Sequence, residues 1–162
     1  MTQPNGSGGN PALDALAAAG IRHRPIRHGP VRSLAEAAKA RGVEPADVVK
    51  TLVVRRGDDD FVFVLVPGDR TISWPKLRAV LGVSRLSMPD AEVAKAATGY
   101  PRGTITPFGS AKPWPVIADQ RLGGREVTLG ASEHGLAVAV AADDVVRVLD
   151  AEVADVTDPE RG

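Results

Sequence analysis

Cysteine is missing altogether from this 162-residue chain, which removes disulfides, thiolate metal sites and cysteine nucleophiles and weakly favours a reducing compartment. Net charge is missing too. Twenty Lys and Arg balance twenty Asp and Glu, so no whole-molecule field draws the protein to nucleic acid, and any RNA contact requires a local patch. No apolar run reaches the roughly 18 residues of a membrane span, and the start, MTQPNGSGGNPA, lacks the basic and apolar blocks of a signal peptide. A cytoplasmic location without membrane attachment is expected. The three histidines, His23, His28 and His134, lack metal-ligand spacing, and neither a Walker loop nor a dinucleotide fingerprint occurs. No metal and no other cofactor is expected.

What is present fits one globular domain, with 43% apolar and 25% charged residues. Residues 1–11, rich in Gly, Asn, Pro and Ser, have little to bury and read as a disordered tail. Residues 12–158 read as the domain. ALDALAAAG is a short helix ended by Gly20, and Pro25 confines IRHRPIRH to a sheet edge. Ser33 and Glu36 form a capping box for a helix closed by Gly42, and a turn of helix follows at EPADVV. KTLVVRRGDDDFVFVLVPGD is an antiparallel hairpin of core strands, with its lysine strand expected at the centre. Ser73 caps a helix with Pro75 in its first turn, SRLSM offers a short strand, and PDAEVAKAAT is a helix stopped by Gly99. Three strands (WPVIAD, REVTLGA, HGLAVAV), a helix (AADDVVRVL) and a last strand (AEVADV) complete the chain. Hairpins mixed with helices predict an α+β fold: a mixed, strongly bent and partly barrel-like central sheet flanked by helices.

Two features carry candidate chemistry. Lys50 opens the TLVV strand, where its stem either packs on the sheet or holds its ammonium at a pocket rim against a carbonyl oxygen or phosphate. The segment TGYPRGTITPFG, Thr98 to Gly109, is too rich in Gly and Pro for helix or strand yet carries Tyr100 and Phe108. It is either a fixed loop whose backbone approaches a ligand or a surface connection covering the sheet edge. Ser132 and His134 in GASEHG read as a turn rather than a nucleophile and base.

RPIRH, VVKTLVV, FVFVLVPGDR, TGYPRGTITPFG and REVTLGASEHGLAVAV, in this order, together resemble the YbaK family, the aminoacyl-tRNA deacylases also found as the editing insertion of bacterial prolyl-tRNA synthetases. The resemblance implies a metal-independent ester hydrolase that deacylates mischarged tRNA carrying a small amino acid, tRNA-Pro being favoured. Its implied partners are tRNA and, as a second partner, an aminoacyl-tRNA synthetase, the protein itself being a monomer or weak dimer. It implies Lys50 as the catalytic residue, and Thr51, His28, Gly99, Tyr100, Gly103, Thr106, Pro107, Phe108 and Gly109 as substrate-binding residues. Water or the terminal adenosine 2′-hydroxyl would take part in place of a protein nucleophile. Gly130 and Ala137 stand where some bacterial members carry a hydroxyl and an acidic residue, so amino-acid specificity does not transfer. The alternative is a non-catalytic module of the same fold that binds a nucleotide or an aminoacyl end.

Overall fold

A hairpin organises the domain. In the computed structural model, which describes residues 9–160, β2 (Val49–Gly57) and β3 (Asp60–Pro67) pair antiparallel from Val49 opposite Pro67 to Gly57 opposite Asp60. Asp59 takes a positive φ of 51° at the turn, a conformation Asp tolerates better than most residues. Nearly every side chain of β3 is buried, because β5 (Val116–Asp119) lies parallel on its other side and β8 (Glu152–Ala154) follows β5 in parallel. The order β2-β3-β5-β8 corrects the expectation of a central lysine strand. The centre is β3, and β2 is an edge.

A second sheet has the order β1-β7-β6, formed by His23–Arg27, Leu136–Ala141 and Glu126–Gly130. Pro25 lies on its outer strand, where the missing N–H costs no ladder bond. A single parallel bridge, Val48 to Thr128, connects this sheet to the start of β2. The third sheet pairs β4 (Arg70–Ile72) with β9 (Thr157–Pro159). The strand expected over AEVADV is β8, with β9 following it in a different sheet, and SRLSM contributes only the bridge from Ser87 to Arg55. The architecture is mixed α+β. Among the described residues the sheets close into no barrel.

Local chemistry sets the helix ends. The Ser33 hydroxyl accepts from the Glu36 N–H at 3.1 Å to start α2 (Leu34–Arg41), while the Glu36 carboxylate reaches back to the Arg32 N–H, one residue earlier than a standard capping box. Ser73 starts α3 (Trp74–Leu81) and Asp90 starts α4 (Ala91–Thr98) in the same way. Asn10 caps α1 (Pro11–Ala18) and also donates to the Ala131 carbonyl and the Glu133 carboxylate. Asn10 and Pro11, at the end of the expected tail, are held to the domain by these bonds, and residues 1–8 of that tail lie outside the described residues. No described helix is long and apolar enough to cross a membrane.

Two apolar clusters flank β2 and β3, one containing Val49, Val53, Phe61, Phe63, Phe108 and Leu129, the other Val54, Val62, Val64, Leu77 and Ile117. After α5 (Ala142–Leu149) the chain's return past the second cluster is fastened by Asp119. This fully buried carboxylate accepts from the Val156 N–H, the Thr157 hydroxyl and the Arg121 guanidinium, so its charge is compensated.

Candidate functional site

A cleft of about 630 Å³ lies along the outer edge of β2. Five consecutive residues, Val49 to Val53, line it. A face of a strand would expose only alternate residues, so this run means that the cleft meets the strand edge-on. The edge is covered at its two ends, by Val48 against Thr128 and by Arg55 against Ser87. Arg55 exchanges both backbone bonds with Ser87, at 2.8 and 3.0 Å. Strand alternation then turns the N–H and C=O of Val53 and Thr51 the same way as those of Arg55, into the cleft, where no strand takes them up. The Thr51 side-chain oxygen is likewise buried without a hydrogen-bond partner. The floor of the cleft is a short ladder of donors and acceptors in want of a ligand.

The opposite wall comes from the glycine-proline segment and α4. The Thr104 N–H donates to the Pro101 carbonyl at 3.1 Å, and the Thr104 hydroxyl donates to the same oxygen. This closes a β-turn with Arg102 and Gly103 at its corners, and Gly103 has the φ of +90° that the third position of such a turn requires. A Cβ at Gly103 would lie 3.1 Å from the His134 ring. Arg102, Gly103 and Ile105 face the cleft, as do Met88 to Ala91, Ala94 and Gly130. Arg102 has no acidic partner among the described residues. Asp90 adds one carboxylate, of which one oxygen accepts from the Val93 N–H. Besides Lys50, one cation and one anion thus line a space bounded by backbone N–H and C=O groups.

The expected site residues divide. Lys50, Thr51 and Gly103 border the cleft; the other expected residues do not. The Lys50 ammonium donates to the Arg70 carbonyl on β4 and lies 3.8 Å from a Glu160 carboxylate oxygen. Lys50 shares its face of β2 with Leu52 and Val54, which pack into the second cluster, so alternation points its side chain away from the face of Thr51. Gly99 is the left-handed C-cap of α4. Tyr100, Thr106 and Phe108 are buried, and the Tyr100 hydroxyl donates to the Phe108 carbonyl at 2.7 Å. Burial pushes the Tyr100 phenol up to about 12. Pro107 continues this buried base and Gly109 ends it at the surface, where a Cβ would nevertheless meet the Pro11 carbonyl and the Tyr100 hydroxyl, both at 2.7 Å. His28 belongs to the start of the β1–α2 connection, with Nδ1 2.8 Å from the Gly29 carbonyl and Nε2 buried without a partner. Tyr100, Thr106, Pro107 and Phe108 thus lie behind the wall and not on its cleft side.

Sequence reasoning missed Arg102, Ile105 and the turn into α4 from Met88 to Ala94. Arg102 could have been found, as the only cation within the glycine-proline segment; Met88 to Ala94 read as an ordinary helix start. On the outer side of the wall, Glu133 is held well below the usual carboxylate range by the Asn10 amide and the Arg27 guanidinium. No group of three or more His, Asp or Glu side chains that could hold a metal ion gathers among the described residues.

The site is thus an edge strand facing a glycine turn across a ligand-sized cleft. The model of the aminoacyl-tRNA editing domain family matches residues 28–148; the chain belongs to that family, the YbaK type its sequence resembles. It is 25% identical over 124 residues to the "Putative Cys-tRNA(Pro)/Cys-tRNA(Cys) deacylase EbsC" of Enterococcus faecalis, covering 76% of each chain. To the proline–tRNA ligase of Thermosipho africanus it is 40% identical over 82 residues, 51% of this chain. The matched region spans only 14% of that ligase. The crystal structure of "a putative trans-editing enzyme for prolyl tRNA synthetase" superposes with a TM-score of 0.79 at 26% identity, covering 90% of this chain and 94% of that one.

Proposed function

We propose that the protein hydrolyses the ester of mischarged aminoacyl-tRNA carrying a small amino acid, with tRNA-Pro the favoured acceptor. The observation that carries this reading is the unpaired edge of β2 facing Arg102 and Gly103 within a family of editing domains. An aminoacylated 3′ end presents a carbonyl, an α-ammonium and phosphates. The N–H groups of Thr51 and Val53 suit the carbonyl, Asp90 the ammonium and Arg102 a phosphate. Aminoacyl esters are activated, so positioning and electrostatic stabilisation meet the demand, with water or the adenosine 2′-hydroxyl as the attacking group.

Lys50 takes the catalytic role by holding the ester carbonyl. To do so its ammonium leaves the Arg70 carbonyl, and its stem reaches the cleft around the unpaired edge of β2 without crossing the sheet. Its side chain is one-third exposed, so little packing opposes that movement. The reaction needs no metal, as the family resemblance implies, and deacylation should persist in EDTA. The protein acts in the cytoplasm as a monomer or weak dimer, with a synthetase as a second partner.

The test is release of the amino acid from alanyl-, seryl- and cysteinyl-esters of tRNA-Pro and other tRNAs at micromolar protein. Lys50→Ala should slow the reaction at least about tenfold, the loss of a charge-assisted contact of about 1.5–3 kcal/mol. Intact esters across the whole panel would replace the enzyme by the non-catalytic module, a reading that the engagement of Lys50 with Arg70 favours. Full activity in Lys50→Ala below substrate saturation would move the chemistry to the β2 edge alone.

A further inference from the structure

The bridge from Arg55 to Ser87 bounds the cleft at one end. A second groove of about 480 Å³ continues along the hairpin, bordered by Arg55, Arg56, Asp58, Arg78, Arg85 and Ser87. In a chain with no net charge, four arginines against one aspartate form a concentrated positive track. Arg55 is paired with Asp58 and Arg56 with Asp60, each at 3.0 Å. The side chains of Arg78 and Arg85 make no hydrogen bond or ion pair among the described residues, and Arg85 is exposed. In the other basic stretch Arg27 is bound to Glu133 at 2.9 Å, and Arg22 and Arg24 are exposed, but none of the three borders the cleft.

We infer that this groove is the seat of the tRNA phosphate backbone leading away from the aminoacylated end. The inference rests on the proposed function, because it takes the cleft as the position of the 3′ end. Ser87 belongs to the groove and Met88 to the cleft; Arg55 belongs to the groove and Val53 to the cleft. The two depressions are therefore consecutive along the same two strands of chain. Thr51, Val53 and Arg55 share one face of β2, and at ~3.3 Å per residue Arg55 stands roughly 13 Å beyond Thr51. A polynucleotide with its last residue in the cleft has to leave past one end of it, and at this end four guanidinium groups match the geometry of phosphate oxygens. Arg78 and Arg85 contribute the uncompensated charge, and their contacts are independent of base sequence.

The experiment measures binding of uncharged tRNA to the whole protein at several salt concentrations, which does not depend on turnover. The double variant Arg78→Gln with Arg85→Gln should bind about tenfold more weakly. It should also lower the steepness of log K against log salt by about 1.4–1.8, the release of two counterions. Arg78→Lys with Arg85→Lys should restore both quantities, which a merely misfolded variant would not permit. An unchanged salt slope in the glutamine variant would overturn the inference, as would preference of the parent protein for a polyglutamate chain over tRNA, the sign of an acidic protein partner. If every ester in the panel stays intact while tRNA binding still depends on Arg78 and Arg85, the hydrolytic reading fails and the groove stands.

Discussion

Within the Thr98–Gly109 segment, the turn from Pro101 to Ile105 and the base made by Tyr100 and Thr106–Gly109 have similar compositions and opposite surroundings. The turn borders the cleft through Arg102, Gly103 and Ile105. In the base Tyr100, Thr106, Pro107 and Phe108 are buried, Phe108 in the apolar cluster, and Gly109, exposed on its outer side, abuts α1. Both use glycine at positive φ, +90° at Gly103 and +71° at Gly109, but Gly109 also abuts backbone, whereas Gly103 abuts the end of an exposed imidazole. A conformational demand alone does not identify a functional glycine. What surrounds the missing side chain does.

The contrast is open to direct test. The largest effect is expected at Gly109, where Ala must adopt the left-handed region and push either Pro11 or the Tyr100 hydroxyl aside. The conformational cost of about 1–2 kcal/mol and a lost hydrogen bond of about 1 kcal/mol should lower the melting temperature by roughly 4–12 °C in calorimetry. An unaltered melting temperature would show that α1 is not seated on this glycine. Gly103→Val should separate activity from stability in the other sense. A β-branched residue resists the turn's φ and reaches into the cleft, so deacylation should fall at least about tenfold while melting shifts by only a few degrees. Comparable losses of activity and stability at both glycines would dissolve the distinction.

The smallest effect belongs to Tyr100→Phe. Losing the bond to the Phe108 carbonyl should cost about 1 kcal/mol, or roughly 2–4 °C, with deacylation little changed. Its pH dependence is more distinctive. The folded-state phenol is raised to about 12 by burial, above an unfolded value of about 10. The stability tied to the neutral phenol is therefore fully present below pH 10 and is lost as pH rises through about 12. Thermal melts between pH 9 and 12 should show that decline in the parent protein and a shallower one in Tyr100→Phe.

The same contrast explains what the sequence made legible. Capping residues, glycine stops and the hairpin are local events, and Ser33, Ser73, Gly42, Gly99 and the runs around Asp58–Asp60 announce them within a few residues. Which strand lies at an edge is decided far away, by Val116–Asp119 choosing β3 and by Ser87 returning to Arg55. The lysine strand therefore looked central. The side of the sheet on which Lys50 falls depends on the same long-range pairing, and no periodicity in VVKTLVV contains it. Tyr100 and Phe108 were visible as unusual in a loop, but burial behind a wall and exposure in front of it have the same composition. The family resemblance supplied the order of the motifs, and it did not say which of their residues meet the cleft.

The two bridges that cover the ends of β2 leave a window on its edge, and that window gives the strand an alternating solvent signature. Amides of Leu52 and Val54 are turned toward β3, whereas those of Thr51 and Val53 look into the cleft. Deuterium uptake should consequently alternate between fast and slow from one residue to the next. A molecule seated on the edge would slow the fast pair selectively. A non-hydrolysable aminoacyl-adenosine that protected Thr51 and Val53 while leaving Leu52 and Val54 unaltered would thus report occupancy of the cleft atom by atom, without turnover and without a label on the ligand.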